Sequence, residues 1–198
     1  MPRFTRAELA TYRGAEVPDL VAPGIRLVFV GINPGLLTAA RQIHFGNASN
    51  RFRPALVAAG ILEPPADGVP GMTTDDLATL SARGIGITNL VPFATARADE
   101  LTRAQLVAGR ARLEIFVEQH RPRVVAVLGI TAYRAAFSLP HATAGRQTEP
   151  IGTAELWVVP NPSGLNAHET VTSLASAYAE PARAAGIELS PRPDMLAP

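Results

Sequence analysis

The 198-residue chain contains no cysteine. Disulfides, thiolate-bound zinc and cysteine-ligated iron–sulfur clusters are thereby excluded. Lysine is missing as well: all 18 basic side chains are arginine. No side-chain amine can form a Schiff base, whereas bidentate pairing with phosphate stays open. A GC-rich genome favouring arginine codons gives the same bias without any functional cause, but the chemical consequence is unchanged. No apolar run approaches the ~18–20 residues of a membrane span. Met1–Tyr12 carries arginines but neither an apolar core nor a small-residue cleavage site, so it does not read as a signal peptide. The expectation is a cytoplasmic protein with no membrane partner, no metal and no cofactor. A net charge of +1 neither argues for nor forbids a polyanionic partner.

What is present suits one globular domain. Hydrophobic residues make up 47% of the chain, enough for a sizeable core but too few residues for two comfortable ones. No internal repeat is evident. The single domain is expected over residues 1–187, followed by a loose proline-rich tail, 188–198. Glu63–Gly71, with three prolines and two glycines, reads as a surface loop.

Four apolar runs read as buried strands: Arg26–Ile32, Ile85–Leu90, Arg123–Leu128 and Leu156–Val159. Most are β-branched and nearly continuous rather than alternating, as strands covered on both faces are. Helical patterns lie between them at Pro54–Ala59, Thr73–Ala82, Thr102–His120, Thr131–Phe137 and Thr170–Ala185. Thr73 with two aspartates, and Thr102 before an apolar stripe, are N-terminal signals. Alternating strands and helices predict an α/β fold: a three-layer α/β/α sandwich around a mostly parallel sheet. Ligands of such folds sit beyond the carboxyl ends of the strands.

Those ends are unusual here. The first strand runs into Gly31-Ile32-Asn33-Pro34-Gly35, the second ends at Thr88-Asn89-Leu90, and the fourth enters Pro160-Asn161-Pro162-Ser163-Gly164-Leu165-Asn166. Asn-Pro is a strong turn former, so tight loops alone would explain either segment. Two of them at strand ends, each followed closely by glycine, suggest rigid loops facing one cleft. The first loop lacks the glycine spacing of dinucleotide folds and the Lys-Ser/Thr of a P-loop. Ser163 sits in Pro-Ser-Gly rather than a nucleophile elbow, with no identifiable histidine or acidic partner.

Gly31-Ile32-Asn33-Pro34-Gly35-Leu36 and Asn161-Pro162-Ser163-Gly164-Leu165 are similar to the two signature motifs of the mismatch-specific branch of the uracil-DNA glycosylase superfamily, which contains the bacterial Mug enzymes and the thymine-DNA glycosylases. Phe45-Gly46-Asn47-Ala48-Ser49-Asn50-Arg51-Phe52 resembles the segment after the first motif, and Gly86-Ile87-Thr88-Asn89-Leu90-Val91 the second strand. Order and spacing agree from about Pro18 to Tyr178. The resemblance implies a monofunctional glycosylase of base excision repair. It would flip uracil from a G·U mismatch in double-stranded DNA and hydrolyse the glycosidic bond, with thymine and ethenocytosine as further candidate substrates. A monomer is expected.

By the same resemblance, Asn33 would position the water, orienting it rather than removing its proton. Phe45 would stack on the base; its plainer alternative is a core phenylalanine. Backbone near Ile32 and the Asn89 amide would meet the pyrimidine edge, since an amide both donates and accepts. Thr38 would have a minor part in tolerating 5-substituents. Leu165 would be the wedge entering DNA, Asn161 and Ser163 would shape its loop and bind phosphate, and Gly164 would allow close approach. Arg51 is expected as a phosphate contact or a solvated surface arginine.

The sequence departs from the family where Ala167, then His168, stand in place of an arginine usual two residues past the wedge. Arg53 replaces a frequent aromatic, and Pro92-Phe93 a more polar pair. Looser discrimination of the opposite base is the expectation. Two other functions stay open at this stage: a catalytically weak damage- or abasic-site-binding protein, and a nucleoside hydrolase of parallel α/β fold. The latter gives Leu165 no purpose. A terminal Pro2 exposed by loss of Met1 is the one amine that could form an imine, but Arg3 stands where enzymes of that type have an acidic residue.

Overall fold

The computed structural model describes residues 4–64 and 71–191. Pro2, most of the Glu63–Gly71 loop and the last seven residues of the proline-rich tail lie outside them.

Five strands form one sheet in the order β2-β1-β3-β5-β4. They are β1 (Leu27–Gly31), β2 (Ile85–Asn89), β3 (Val124–Leu128), β4 (Gly145–Arg146) and β5 (Glu155–Val159). β2, β1, β3 and β5 are mutually parallel, and β4 adds an antiparallel edge of two residues. Every residue of β1, β2 and β3 is buried. That is why these runs are apolar without alternation: both faces are covered.

The pleat sorts alternate residues to the two faces. Leu27, Phe29, Ile85, Ile87, Val124 and Ala126 pack with helices α3 (Phe52–Ala58), α4 (Thr74–Ala82) and α7 (Val171–Ala184). Val28, Val30, Val125, Val127, Leu156 and Val158 pack with α5 (Arg103–His120) and α6 (Ile130–Phe137). Sheet between two helical layers is the expected sandwich. Thr73 and Thr102 cap α4 and α5 with reciprocal side-chain bonds, and Thr170 does the same for α7.

Two short helices were not among the predicted elements. α1 (Arg6–Ala10) and α2 (Leu36–Arg41) pack on each other over a small cluster of Val17, Ala39 and Ala94. Neither is long enough to show an apolar period, although the Thr5–Glu8 capping box of α1 is a local signal. The start of the presumptive tail is bound, not loose. Glu188 carbonyl accepts from Arg83, Ser190 N–H donates to Gly60 carbonyl at 2.9 Å, and Leu189 packs on the core. Among the described residues no helix is long and apolar enough to cross a membrane.

Arg53, which takes an aromatic's place in the family pattern, is buried against Asp76. Its Nε lies 2.7 Å from Oδ2 and its Nη2 donates to Oδ1 at 3.1 Å. Asp76 also accepts from the Thr73 N–H and hydroxyl at the start of α4. A substitution removing this carboxylate takes away the Arg53 ion pair and the reciprocal half of the α4 capping box. Asp76→Ala should destabilise the fold by about 1–3 kcal/mol, read from urea unfolding midpoints.

Candidate active site

One cleft of about 670 Å³ opens at the carboxyl ends of the parallel strands, a size in the range of small-ligand pockets. Gly31 at the end of β1, Ile32 and Asn33 just after it, Asn89 at the end of β2, Leu128 at the end of β3, and Asn161 after β5 all line it. Thr38 on α2, Phe45, Ser163, Gly164 and Leu165 complete the wall. The two Asn-Pro turns, 128 residues apart in sequence between Asn33 and Asn161, thus face one space.

Asn33 is held in a single amide orientation. Its Nδ2 donates to the Thr95 hydroxyl at 2.7 Å, to Pro34 carbonyl at 3.0 Å and to Phe93 carbonyl at 3.4 Å. Thr95 in turn donates its own proton to Arg97 carbonyl at 2.7 Å, so its oxygen can only accept from Asn33. With the nitrogen surrounded by acceptors, the reverse orientation is repulsive. Among the described residues no donor is bonded to Asn33 Oδ1. Thr95, which fixes this orientation, is a cleft residue that sequence reasoning missed. It lies 62 residues from Asn33 in the chain, and no local pattern announces the contact.

Asn89 is only 4% exposed and lines the cleft, yet no described residue hydrogen-bonds its side-chain amide. The amide is left open to the cleft, where both its donor and its acceptor can meet a ligand or water. Gly31 makes the placement possible: a Cβ there would overlap Asn89 Oδ1 and touch the Phe45 ring. Phe45 has a positive φ of 54°, a conformation seldom adopted by bulky side chains. Its ring packs on Phe52 at 4.1 Å between centroids while Phe52 is fully buried. Phe52 is the core residue, and Phe45 is the half-buried ring that borders the cleft.

The second turn is internally braced. Asn161 Oδ1 accepts from Ser163 N–H at 3.0 Å, Ser163 Oγ from Leu165 N–H at 3.3 Å, and Asn161 carbonyl from Asn166 Nδ2 at 3.1 Å. The Tyr178 hydroxyl, its pKa raised by burial, donates to Pro160 carbonyl at 2.8 Å. Leu165 at the tip is 86% exposed. Arg51 requires a correction. It does not line the cleft, and it is not a solvated surface arginine. Its Nη1 donates to Glu169 carbonyl, and its Nη2 to the carbonyls of Ser163 and Asn166, both at 2.6 Å.

Fold and cleft together define a class: a parallel-sheet α/β protein with an amide-lined ligand site beyond its strand ends. The chain belongs to the Uracil DNA glycosylase superfamily, whose family model matches residues 18–182. Members of that superfamily are N-glycosylases, hydrolases of base–sugar bonds. The chain is also similar in fold to a candidate uracil DNA glycosylase from Methanosarcina acetivorans, solved by solution NMR. That match has a TM-score of 0.52 and 15% sequence identity, and covers 85% of this chain and 97% of the other.

His44, also missed from sequence, is buried in the cleft wall with Nε2 2.9 Å from Pro18 carbonyl. Burial lowers its pKa below the ordinary 6.5, against the opposing pull of the Pro18 carbonyl and the Asp19 carboxylate. The unfolded chain therefore takes up this proton first as the pH falls. His44 contributes no penalty above pH 6.5, and stability declines below 6.5 until the lower folded pKa is passed. The urea midpoint should fall between pH 7.5 and 5, and His44→Gln should flatten that part of the profile.

Proposed function

We propose that this chain is a monofunctional glycosylase of the mismatch-specific type. It flips uracil from G·U pairs in double-stranded DNA, acts as a cytoplasmic monomer, and hydrolyses the glycosidic bond with a water oriented by Asn33. Thymine and ethenocytosine are further candidate substrates. The observation that carries this reading is the locked Asn33 amide, whose one unbonded acceptor lies in the same cleft as an unbonded Asn89 amide and a half-exposed aromatic ring.

The chemistry follows from charge. As the C1′–N bond lengthens, its electron pair leaves with the base and the sugar becomes a cation. A water oxygen bonds to C1′ and gives up a proton, which ends on the departing base or in solvent. Asn33 Oδ1 accepts a hydrogen bond from that water and aims its lone pair at C1′. A neutral amide removes no proton, so turnover is slow. Phe45 stacks on the extruded base; Ile32 carbonyl already accepts from Val91 N–H, leaving N–H groups of this turn and the Asn89 amide to meet the polar edge. Thr38 sits where a 5-substituent would reach the wall. Leu165 fills the gap left in the stack, which offsets part of the few kcal/mol of unstacking. Asn161, Ser163 and Gly164 keep that leucine at the tip of its turn. With Ala167 and His168 exposed beyond it rather than an arginine, the opposite base is read less strictly.

The test is cleavage of duplexes carrying uracil, thymine or ethenocytosine opposite each base. Wild type should release uracil opposite guanine and, more slowly, opposite other bases. The abasic strand should break only after alkali or heat, because the chain has no lysine for imine chemistry. Asn33→Ala should lower the single-turnover rate about 100-fold without weakening binding of abasic duplex. Leu165→Ala should lower the duplex rate about tenfold, the loss expected for ~1.5 kcal/mol of apolar burial. Tight binding of abasic DNA with no cleavage by wild type would instead identify a damage-binding protein.

A further inference from the structure

We infer that Arg51 is a positioning residue that locks the Leu165 turn onto the base pocket before DNA arrives, so that its loss impairs extrusion from a duplex rather than bond cleavage. This rests on the glycosylase reading above. The guanidinium carries five N–H donors in a fixed fork. Its Nη groups reach the carbonyls of Ser163, Asn166 and Glu169, and the Arg51 backbone N–H donates to Pro162 carbonyl at 2.9 Å. Four carbonyls of the Pro162–Glu169 stretch therefore face one residue at the start of α3. Carbonyl oxygens gathered this way repel one another unless a cation lies among them. Gly164 fits the same docking from the opposite side: a Cβ there would lie 2.7 Å from Ser49 carbonyl, so the turn rests directly on the 47–51 segment.

The chain segment that holds Arg51 also holds the stacking ring, since Phe45 and Phe52 pack together on either side of it in sequence. One short stretch thus fixes both the ring that receives the base and the leucine that replaces it. A preformed wedge need not be ordered during binding, which is where a flexible turn would lose affinity and rate. In single-stranded DNA no pair has to be opened, so the wedge matters little there.

The experiment compares single-turnover cleavage of uracil in a G·U duplex and in a single strand for wild type, Arg51→Met, Arg51→Lys and Gly164→Ala. Arg51→Met should lower the duplex rate about 30-fold more than the single-strand rate. Its duplex affinity should keep the wild-type salt slope, and 2-aminopurine beside the uracil should lose its rise in fluorescence. Arg51→Lys should not restore the duplex rate, because a single ammonium nitrogen cannot stand in both Nη positions. Gly164→Ala should reproduce the duplex-specific loss and keeps the test open if Arg51→Met fails to fold. Equal losses on both substrates, or a salt slope reduced by about 0.9 with rescue by lysine, would overturn the inference in favour of general damage or a phosphate contact. If wild type cleaves neither substrate, the glycosylase reading fails, and amide exchange decides the staple alone. Arg51→Met must then speed exchange at Ser163–His168, and unchanged protection overturns it.

Discussion

Four parallel strands paired in register end along one edge of the sheet, and the hydrogen-bond ladder that sets this register carries the whole cleft. Gly31 pairs with Asn89 across β1 and β2, which places the carboxyl ends of these two strands side by side. The absence of a side chain at Gly31 then lets the Asn89 amide lie over the backbone that leads to Asn33. A slip of one residue in this pairing would turn Asn89 to the opposite face. The buried, β-branched character of β1–β3 holds the register, because a slipped strand would exchange which residues face which helical layer.

Rigidity at the strand ends has a different source. Each turn is held from outside by a residue remote in sequence: Thr95 on Asn33, Arg51 on the Ser163–Glu169 stretch. Both use polar bonds in half-buried surroundings, where a satisfied donor and acceptor are worth more than at a wet surface. Phe45 shows the cost of this arrangement in its left-handed backbone. The strain is tolerated because the ring is packed on Phe52, which is anchored in turn against Phe29 and Tyr178 in the core.

Replacement within this framework is also compensated by distant partners. Arg53, buried on α3, is met by the Asp76 carboxylate from the first turn of α4. The buried His44 likewise depends on the carbonyl of Pro18, 26 residues earlier. In both, a polar residue is acceptable inside because another element supplies its hydrogen bond.

The local chemistry of the chain decided its layers. Continuous apolar runs, threonine caps at Thr73 and Thr102, and alternation of strand and helix are properties of neighbouring residues, and they are legible without coordinates. So were the residues of the cleft that sit on the strands' own ends: Asn33, Asn89 and Asn161. For Phe45 the sequence left two readings, stacking ring or core phenylalanine, and packing gives it both surroundings: it borders the cleft and rests on Phe52. Tertiary structure alone decided what orients each group. Thr95, Arg51 and His44 take their roles from partners tens of residues away, and α1 and α2 are too short for a period to reveal. Hydrogen bonds between remote turns leave no mark on the local pattern, because any polar residue at the right point in space would satisfy the same sequence rules.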